Sequence, residues 1–205
     1  MLTMNYTYRI YPNVVQQTEL RSWLETCRGV YNYALRELKD WIASRKCSVD
    51  RCSLEKEYII PADEPFPSYH RQQNNLPKAK KQFPHLGKVH SQVLQTTIRR
   101  LHDTWEVFQK RGYGFPRFKK FGQFKSFVFP QFKGNPINGF TIKLPKIGEV
   151  PINLHRPFAP LSKGGWGDTA KGAVQGTGDA MVCCRHHRIG YISSRCPGSR
   201  SGDWD

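Results

Sequence analysis

The chain has 205 residues, with 32 Lys and Arg against 16 Asp and Glu, which gives a formal net charge of +16. This length fits one domain, or a domain with an accessory lobe. Hydrophobic residues make up 38% and aromatic residues 13% of the chain, which excludes a wholly disordered protein. No stretch approaches the roughly 20 apolar residues of a membrane span, and the N-terminus shows no secretory signal pattern. We therefore expect a cytoplasmic protein with no membrane association, whose polyanionic partner is nucleic acid.

The positive charge is concentrated in the middle of the chain. Residues 1–64 carry nine basic and nine acidic side chains, whereas residues 65–160 carry seventeen basic and three acidic ones. Residues 161–205 carry six and four. Charge that only maintains solubility has no reason to gather in one segment. The distribution therefore predicts a binding surface within residues 65–160.

The first elements are a short strand and a long helix. Aromatic alternation from Tyr6 to Tyr11 predicts the strand. Asn13 and Gln16 form a capping-box-like pair that predicts a helix start. Gly29 lies within the helix and is expected to allow close packing or to break the helix into a helix-turn-helix. Apolar residues at spacings of three and four mark one buried face: Leu20, Trp23, Leu24, Cys27, Val30, Tyr31, Ala34, Leu35, Leu38, Trp41 and Ile42.

Residues 46–88 show little pattern, although a polar run from Tyr69 to Asn75 predicts a short helix. A second strong amphipathic helix is predicted from about Ser91 to Lys110, where glycines stop it. Glutamine amides can pair with adenine edges, and arginines with guanine or phosphate. A merely solvated polar face is the alternative interpretation. The polar side of this helix carries Gln92, Gln95, Arg99 and Arg100.

Basic and aromatic residues interleave over residues 111–127. Cations in such a segment reach phosphates, while the rings stack on unpaired bases or anchor the loop in a core. The basic candidates are Arg117, Lys119, Lys120 and Lys125. Short strands are then predicted at Phe127–Phe129, Phe140–Leu144 and Ile147–Leu154, a spacing typical of a small barrel or sandwich.

The cysteines predict neither disulfides nor a metal site. No secretory context is visible, and no paired CxxC occurs. Cys183 and Cys184 stand close to His186 and His187, but adjacent ligands rarely make a tetrahedral site. We interpret these thiols and imidazoles as incidental.

Four motifs, taken in order, resemble the N-terminal part of TnpB (OrfB) proteins, the transposon-encoded relatives of single-protein CRISPR nucleases. They cover roughly residues 4–158. They are Tyr8-Arg9-Ile10-Tyr11-Pro12-Asn13 with Gln17, Leu20 and Val30-Tyr31-Asn32; Ser91-Gln92-Val93-Leu94-Gln95 running to Leu101; Gly114-Phe115-Pro116-Arg117-Phe118-Lys119-Lys120; and Leu144-Pro145-Lys146-Ile147-Gly148. The resemblance implies an α+β fold in which a helical recognition lobe is inserted in a small, incomplete, oligonucleotide-binding-like β-barrel.

The resemblance also divides the chain. Residues 1–11 would be the first barrel strand, 12–45 a helix-turn-helix that starts the recognition lobe, 46–118 the rest of that lobe, and 119–160 further barrel strands. Residues 161–205 hold nine of the seventeen glycines and show no hydrophobic period. We expect them to be a disordered tail, produced by a frameshift near residue 160. A genuine flexible extension is the alternative.

Nucleic-acid recognition is the function that the resemblance implies. The partners would be DNA and a guide RNA derived from the transposon end, with no expectation for the oligomeric state. In the family, recognition-lobe and barrel side chains face a short motif beside the DNA target. The matching positions here are Tyr69, Gln73, Gln92, Gln95 and Gln131.

The family's RuvC-like nuclease domain has no counterpart in this sequence. Its three carboxylates hold divalent metal ions that activate water, and the first usually stands in a Gly-Ile-Asp strand. Asp203 lacks the apolar strand before it, and Asp168 and Asp179 lie in glycine-rich surroundings. We therefore expect no enzymatic activity, no catalytic or metal-binding residues and no cofactor, since divalent metal belongs to the missing domain.

Three interpretations of the function are open. The first is a truncated, nucleic-acid-binding transposase-associated protein that takes part in transposition or DNA recombination and associates with the nucleoid. The second is a stand-alone helix-turn-helix DNA-binding regulator of the transposon. The third is an unstable pseudogene product.

Overall fold

The structure is a computed structural model, and it describes residues 3–46, 60–61, 63–112, 114–132, 136–154, 171–177 and 179–187. Within these ranges the chain forms four helices and seven strands. Their order is β1 (Thr3–Ile10), α1 (Val14–Lys46), α2 (Tyr69–Gln82), α3 (Pro84–Lys88), α4 (Ser91–Arg111), β2 (Ser126–Phe129), β3 (Ile137–Asn138), β4 (Thr141–Leu144), β5 (Gly148–Asn153), β6 (Lys171–Thr177) and β7 (Asp179–His187). The predicted α+β class is confirmed. None of the described helices is long and apolar enough to cross a bilayer.

The strands form one antiparallel sheet in the order β2-β6-β7-β1-β5-β4-β3. β1 lies at its centre, where Thr3–Arg9 pair with β7 and Arg9 and Ile10 pair with β5. The two outermost strands, β2 and β3, are not paired with each other within the described ranges, so the sheet is open. All four helices lie between β1 and β2 along the chain.

The start of α1 confirms the predicted capping box. The backbone N–H of Asn13 donates to Gln16 Oε1 at 3.1 Å, and the backbone N–H of Gln16 donates to Asn13 Oδ1 at 2.7 Å. These reciprocal bonds satisfy N–H groups that have no partner inside the helix. The Gln16 side chain also donates to the Glu149 carbonyl at 2.9 Å and thereby ties the helix start to β5.

The buried face of α1 matches the predicted stripe from Leu20 to Leu38, but both expectations for Gly29 are wrong. The helix continues through Gly29, and a Cβ built there meets no atom within 4 Å, so the glycine neither breaks the helix nor permits a close approach. Burial of Leu35 and Leu38 on the following turns continues the same face. This packing outweighs the roughly 1 kcal/mol by which glycine disfavours a helix interior.

Regular structure in residues 69–88 exceeds the prediction. α2 starts at Tyr69, where the Ser68 side chain caps the helix, and continues past Asn75 and through Pro77. The short helix α3 follows immediately, with Pro84 in its first turn. α4 occupies the predicted interval and ends at Gly112, whose φ of 68° is the left-handed conformation that glycine adopts most readily.

Two strands lie within residues 161–205, for which the sequence predicts disorder. β6 pairs with β2, and β7 pairs with both β6 and β1, so the expected disorder is wrong for these residues. Ladder pairing uses main-chain groups, which a weak hydrophobic pattern does not reveal. The rest of residues 155–205, and the thiols Cys47, Cys52 and Cys196, lie outside the described residues. The frameshift near residue 160 stays a prediction.

Helices and sheet share one hydrophobic core. Buried side chains of β1, α1 and α4 form a continuous cluster with those of β2, β3, β4 and β5. Trp23 of α1 connects the two layers, because its ring centroid lies 5.7 Å from that of Phe127 and 6.3 Å from that of Phe129. Cys27 is buried beside them, and this burial raises the pKa of its thiol to about 12, although a hydrogen bond with Thr97 opposes the shift.

Candidate nucleic-acid interface

Two of the predicted glutamines meet where α4 passes over β2. Gln92 Nε2 lies 3.5 Å from Gln131 Oε1, although the residues are 39 positions apart. One turn further along α4, the Thr96 hydroxyl donates to the Val128 carbonyl at 3.0 Å and fixes the helix on the strand. The two amides therefore lie together at the start of α4, and the Gln131 side chain is exposed.

A second pair of candidates meets where α2 lies beside α4. The Arg99 guanidinium lies 5.3 Å from the centroid of the Tyr69 ring, a cation–π contact. At the opposite end of α2, Lys80 Nζ donates to Ser91 Oγ at 2.6 Å. The helices therefore run antiparallel. Gln73 lies one turn after Tyr69, Gln95 lies one turn before Arg99, and both are half-buried.

A buried hydrogen-bond network beneath Tyr69 was not predicted. Gln72 Nε2 donates to the Ala34 carbonyl at 3.0 Å and to Glu37 Oε2 at 2.9 Å. Gln72 Oε1 therefore accepts from His102 Nε2 at 2.9 Å. The His102 ring also packs on Tyr69, 6.1 Å between centroids. The network joins α1, α2 and α4, and no motif in the sequence indicates it.

A second missed group surrounds the start of α4. Lys146 Nζ donates to the Gly87 carbonyl at 2.5 Å, a contact that the Leu144–Gly148 motif does not predict. Burial lowers the pKa of Lys80, and the positive charge of Lys146 lowers it further. Burial also lowers the pKa of His90, and the positive charges of Lys146 and Lys80 lower it further. Positive charges thus crowd together close to the Gln92–Gln131 pair, and only the fold brings them there.

The basic segment after α4 is held against α1 by main-chain hydrogen bonds. Asn32 Nδ2 donates to the Lys119 carbonyl, and the Lys119 N–H donates to Asn32 Oδ1, both at 2.9 Å. Arg28 adds a longer bond to the same carbonyl, at 3.4 Å. Lys39 Nζ lies 4.4 Å from the centroid of the Phe118 ring. The segment is therefore a fixed loop, with its main chain bound to polar side chains of one helix.

This loop and α4 enclose a cleft of about 390 Å³. Aromatic side chains form part of its wall, with Tyr31 and Phe124 buried in the core and their ring centroids 6.1 Å apart. Arg100 lies over Phe124, 5.4 Å from the ring centroid, and Lys119 lies over Tyr31 at 5.9 Å. Burial raises the pKa of Tyr31, and the charge of Arg100 opposes this shift. The basic residues that line the cleft are Arg100, Arg117, Lys119 and Lys125.

None of these four cations belongs to an ion pair within the described part of the chain. The ion pairs found there are Arg28–Glu25, Arg36–Asp40, Arg71–Glu64 and Lys110–Glu106. No carboxylate lines the cleft either. Lys120 is exposed and lies just outside the cleft, on the same loop. Like charges without counterions favour an anionic ligand, and phosphate is the anion of nucleic acids.

The predicted site residues therefore fall into two groups. One comprises Tyr69, Gln73, Gln92, Gln95, Arg99 and Gln131 around α4, and the other comprises the cleft residues Arg117, Lys119 and Lys125 with the adjacent Lys120. Side chains of the Cys183–His187 region lie outside those that the structure describes. Within the described residues, no group of three or more His, Cys, Asp or Glu side chains is placed to hold a metal ion.

The N-terminal segment has a recognisable family signature. Residues 1–47 match the helix-turn-helix domain of OrfB proteins of the IS605 type. No curated protein matches the chain. In the structure the matched segment contains β1 and one continuous helix, α1. A helix-turn-helix is a DNA-binding motif, so the match links the chain to DNA binding and to transposase-associated proteins. Over residues 1–47, the chain is similar to the N-terminal region of TnpB/OrfB-type transposon-encoded proteins.

Proposed function

We propose that this chain is the nucleic-acid-recognition part of a TnpB/OrfB-type RNA-guided DNA endonuclease, and that it binds without cutting. Its partners are the DNA target and a guide RNA from the transposon end. The helices would act as the recognition lobe, and the antiparallel sheet would be the incomplete oligonucleotide-binding-like barrel. Cleavage and its divalent metal ions belong, in this proposal, to a nuclease domain that these residues do not provide.

The observation that carries the proposal is the meeting of Gln92 and Gln131. The family resemblance nominated both residues for the DNA motif from separate parts of the sequence, and their side chains lie 3.5 Å apart. An amide presents a donor and an acceptor together, the pattern that pairs with the N6 and N7 edge of adenine. Arg99, held over Tyr69, supplies a cation for a phosphate or a guanine beside them.

A selection of duplex DNA tests this function. The protein, with RNA from the transposon end, is incubated with duplexes that contain a randomised short motif, and the bound fraction is sequenced. We expect enrichment of one motif. Gln92→Ala or Gln131→Ala should flatten the preference at individual positions, at a cost of about 1–3 kcal/mol per lost bidentate contact. Gln109→Ala, an exposed glutamine on the same helix, is the matched control. Unbiased sequences in the bound fraction would contradict the proposal.

The absence of cutting is tested separately with magnesium. We expect no cleavage of a plasmid that carries the enriched motif, with or without the RNA, because the proposal assigns these residues no metal-binding carboxylates. RNA-dependent cleavage by the purified chain would overturn this part of the proposal and leave the recognition function standing.

A stand-alone regulator of the transposon is the second candidate, favoured by the helix-turn-helix match over residues 1–47. A regulator of this type inserts a short second helix into the major groove. Here α1 runs unbroken from Val14 to Lys46, and residues 1–64 carry no net charge. DNA binding that depends on exposed residues of α1, and is indifferent to Gln92 and Gln131, would favour the regulator.

A further inference from the structure

The basic loop ends in a turn that presents a single aromatic ring to solvent. The Gln123 N–H donates to the Lys120 carbonyl at 3.1 Å, which closes a β-turn with Phe121 and Gly122 at its centre. The φ of Gly122 is +71°, a conformation that glycine adopts readily and other residues rarely. Phe121 stands at the tip of this turn with 81% of its surface exposed.

The turn is fixed from both sides. The Lys120 N–H donates to Gln123 Oε1 at 2.9 Å, and the Gly122 N–H donates to Glu25 Oε1 at 3.2 Å. Glu25 is itself held by Arg28, with Arg28 Nε 2.6 Å from Glu25 Oε2. The turn is thus anchored to α1, and its exposed ring has a defined position. A ring fixed in this way loses little conformational entropy when a ligand stacks on it.

Phe121 has no role in the core. Phe124 and Phe127 are buried in the core, and Phe115 is partly buried against the same core. Phe121 leaves most of an apolar surface in water, although burial of a Phe side chain would stabilise the fold by about 1.5–3 kcal/mol. Its immediate neighbours in the turn are a lysine and a glycine.

The charges around the ring are suited to a phosphate backbone. Lys120 precedes Phe121 and is exposed, and Lys119 lies one residue earlier at the wall of the cleft. Arg117 and Lys125, on either side of the turn, are exposed and line the same cleft. None of them is ion-paired within the described residues. Aromatic rings beside uncompensated cations are the usual platform for single-stranded nucleic acid.

We propose that Phe121 stacks on an unpaired base of a single strand whose phosphates enter the cleft formed by Arg100, Arg117, Lys119 and Lys125. The ligand is an unpaired nucleotide segment, because a base in a duplex interior offers no free face to a ring. A cleft of about 390 Å³ falls in the range of sites for small ligands and has room for a single nucleotide. This inference deepens the proposed function and rests on it in taking nucleic acid as the ligand.

Fluorescence anisotropy with three labelled probes tests the proposal: a 12-nucleotide RNA, the DNA of the same sequence and the corresponding DNA duplex, each at several salt concentrations. Phe121→Ala removes the ring. Phe140→Ala removes a ring that is 78% exposed on the turn between β3 and β4, and is the matched control. Circular dichroism and thermal melting check that both variants fold, as expected for exposed side chains.

We expect Phe121→Ala to weaken single-strand binding roughly 5- to 150-fold, the effect of losing one stacked base. The slope of log K against log salt should stay unchanged, because stacking releases no counterions. Lys125→Ala should instead reduce that slope by about 0.7, the value for one phosphate contact to a single strand. The ratio of the RNA and DNA affinities identifies which strand the cleft prefers, and a loss on either one supports the proposal.

Three results would overturn the proposal: equal effects of Phe121→Ala and Phe140→Ala, an equal loss on duplex and single strands, or a tighter, Phe121-dependent complex with poly-glutamate. The last result would assign the ring to an acidic peptide. Failure of the stacking proposal can be distinguished from failure of the proposed function, because motif enrichment depends on Gln92 and Gln131 and is measured on duplex DNA. Motif enrichment without a Phe121 effect rejects only the stacking site.

Discussion

Single side chains hold the basic loop against α1. Asn32→Ala removes the amide that bonds both to the carbonyl and to the N–H of Lys119. The half-buried Lys119 backbone then lacks these partners, and an unsatisfied polar group costs about 1–3 kcal/mol. We expect a loss of that size in the free energy of unfolding, measured in urea. Asn74→Ala, an exposed asparagine on α2, is the control and should change stability by less than about 0.5 kcal/mol. Equal effects of the two substitutions would mean that the hydrogen bonds of Asn32 contribute nothing to the free energy of unfolding.

His102 makes the stability of the fold depend on pH. Burial lowers its pKa, and the charge of Asp103 opposes the shift. The His102 imidazole therefore takes up a proton near pH 6.5 in the unfolded chain, whereas in the folded chain it is still mostly neutral at that pH. The stabilisation is complete above pH 6.5 and declines as pH falls through that value toward the lower folded pKa. Burial also lowers the pKa of His90, so both imidazoles contribute to this loss of stability at low pH.

The melting temperature at pH values from 7.5 to 5 measures this effect. We expect it to fall below pH 6.5, and His102→Gln should reduce the steepness of that fall. His85→Gln, an exposed imidazole on α3, serves as the control. A profile that is the same for both variants would show that His102 is not responsible.

At the level of the elements, the continuity of α1 through Gly29 can be tested directly. Gly29 is exposed inside a continuous helix, and a Cβ there meets nothing within 4 Å. Gly29→Ala should therefore stabilise the protein by about 0.5–1 kcal/mol in chemical denaturation, since alanine loses less backbone entropy in a helix. A glycine at the turn of a helix-turn-helix would give the opposite sign. Destabilisation by this substitution would contradict the unbroken helix.

The elements also show what the sequence reveals and what it conceals. The capping pair Asn13 and Gln16 and the 3.6-residue periodicity of α1 and α4 are local signals, and the structure confirms them. α2 exceeds its prediction because the helix tolerates Pro77, which a rule based on local propensity cannot anticipate. The strands β6 and β7 depend on pairing with distant β2 and β1, so no local pattern predicts them.

Candidate site residues could be nominated from the sequence, whereas their arrangement could not be predicted. The family resemblance nominated Gln92 and Gln131 separately, and only the packing of α4 on β2 shows that the two amides meet. The opposite holds for Gln72 and His102. Their types and positions carry no chemical signal along the sequence, and their importance comes from the three helices that they connect.

At the scale of the whole molecule, the C-terminal strands are expected to be required for stability. A chain that ends at residue 160 loses β6 and β7, so β2 and most of β1 lose their ladder partners. We expect a lower melting temperature and concentration-dependent aggregation measured by light scattering, because unpaired strand edges invite association. A chain that ends at residue 190 keeps both strands and is the matched control. Equal stability of the two chains would mean that the strands add nothing.

The position of β1 at the centre of the sheet has a consequence for synthesis. Its main partner, β7, is made about 170 residues later. At 5–20 residues per second, the first strand waits roughly 9–34 s on the ribosome before that partner exists. Pairing across so long a separation is intrinsically slow. Every copy of the protein therefore passes through a nascent stage in which most of this aromatic strand lacks its ladder partner.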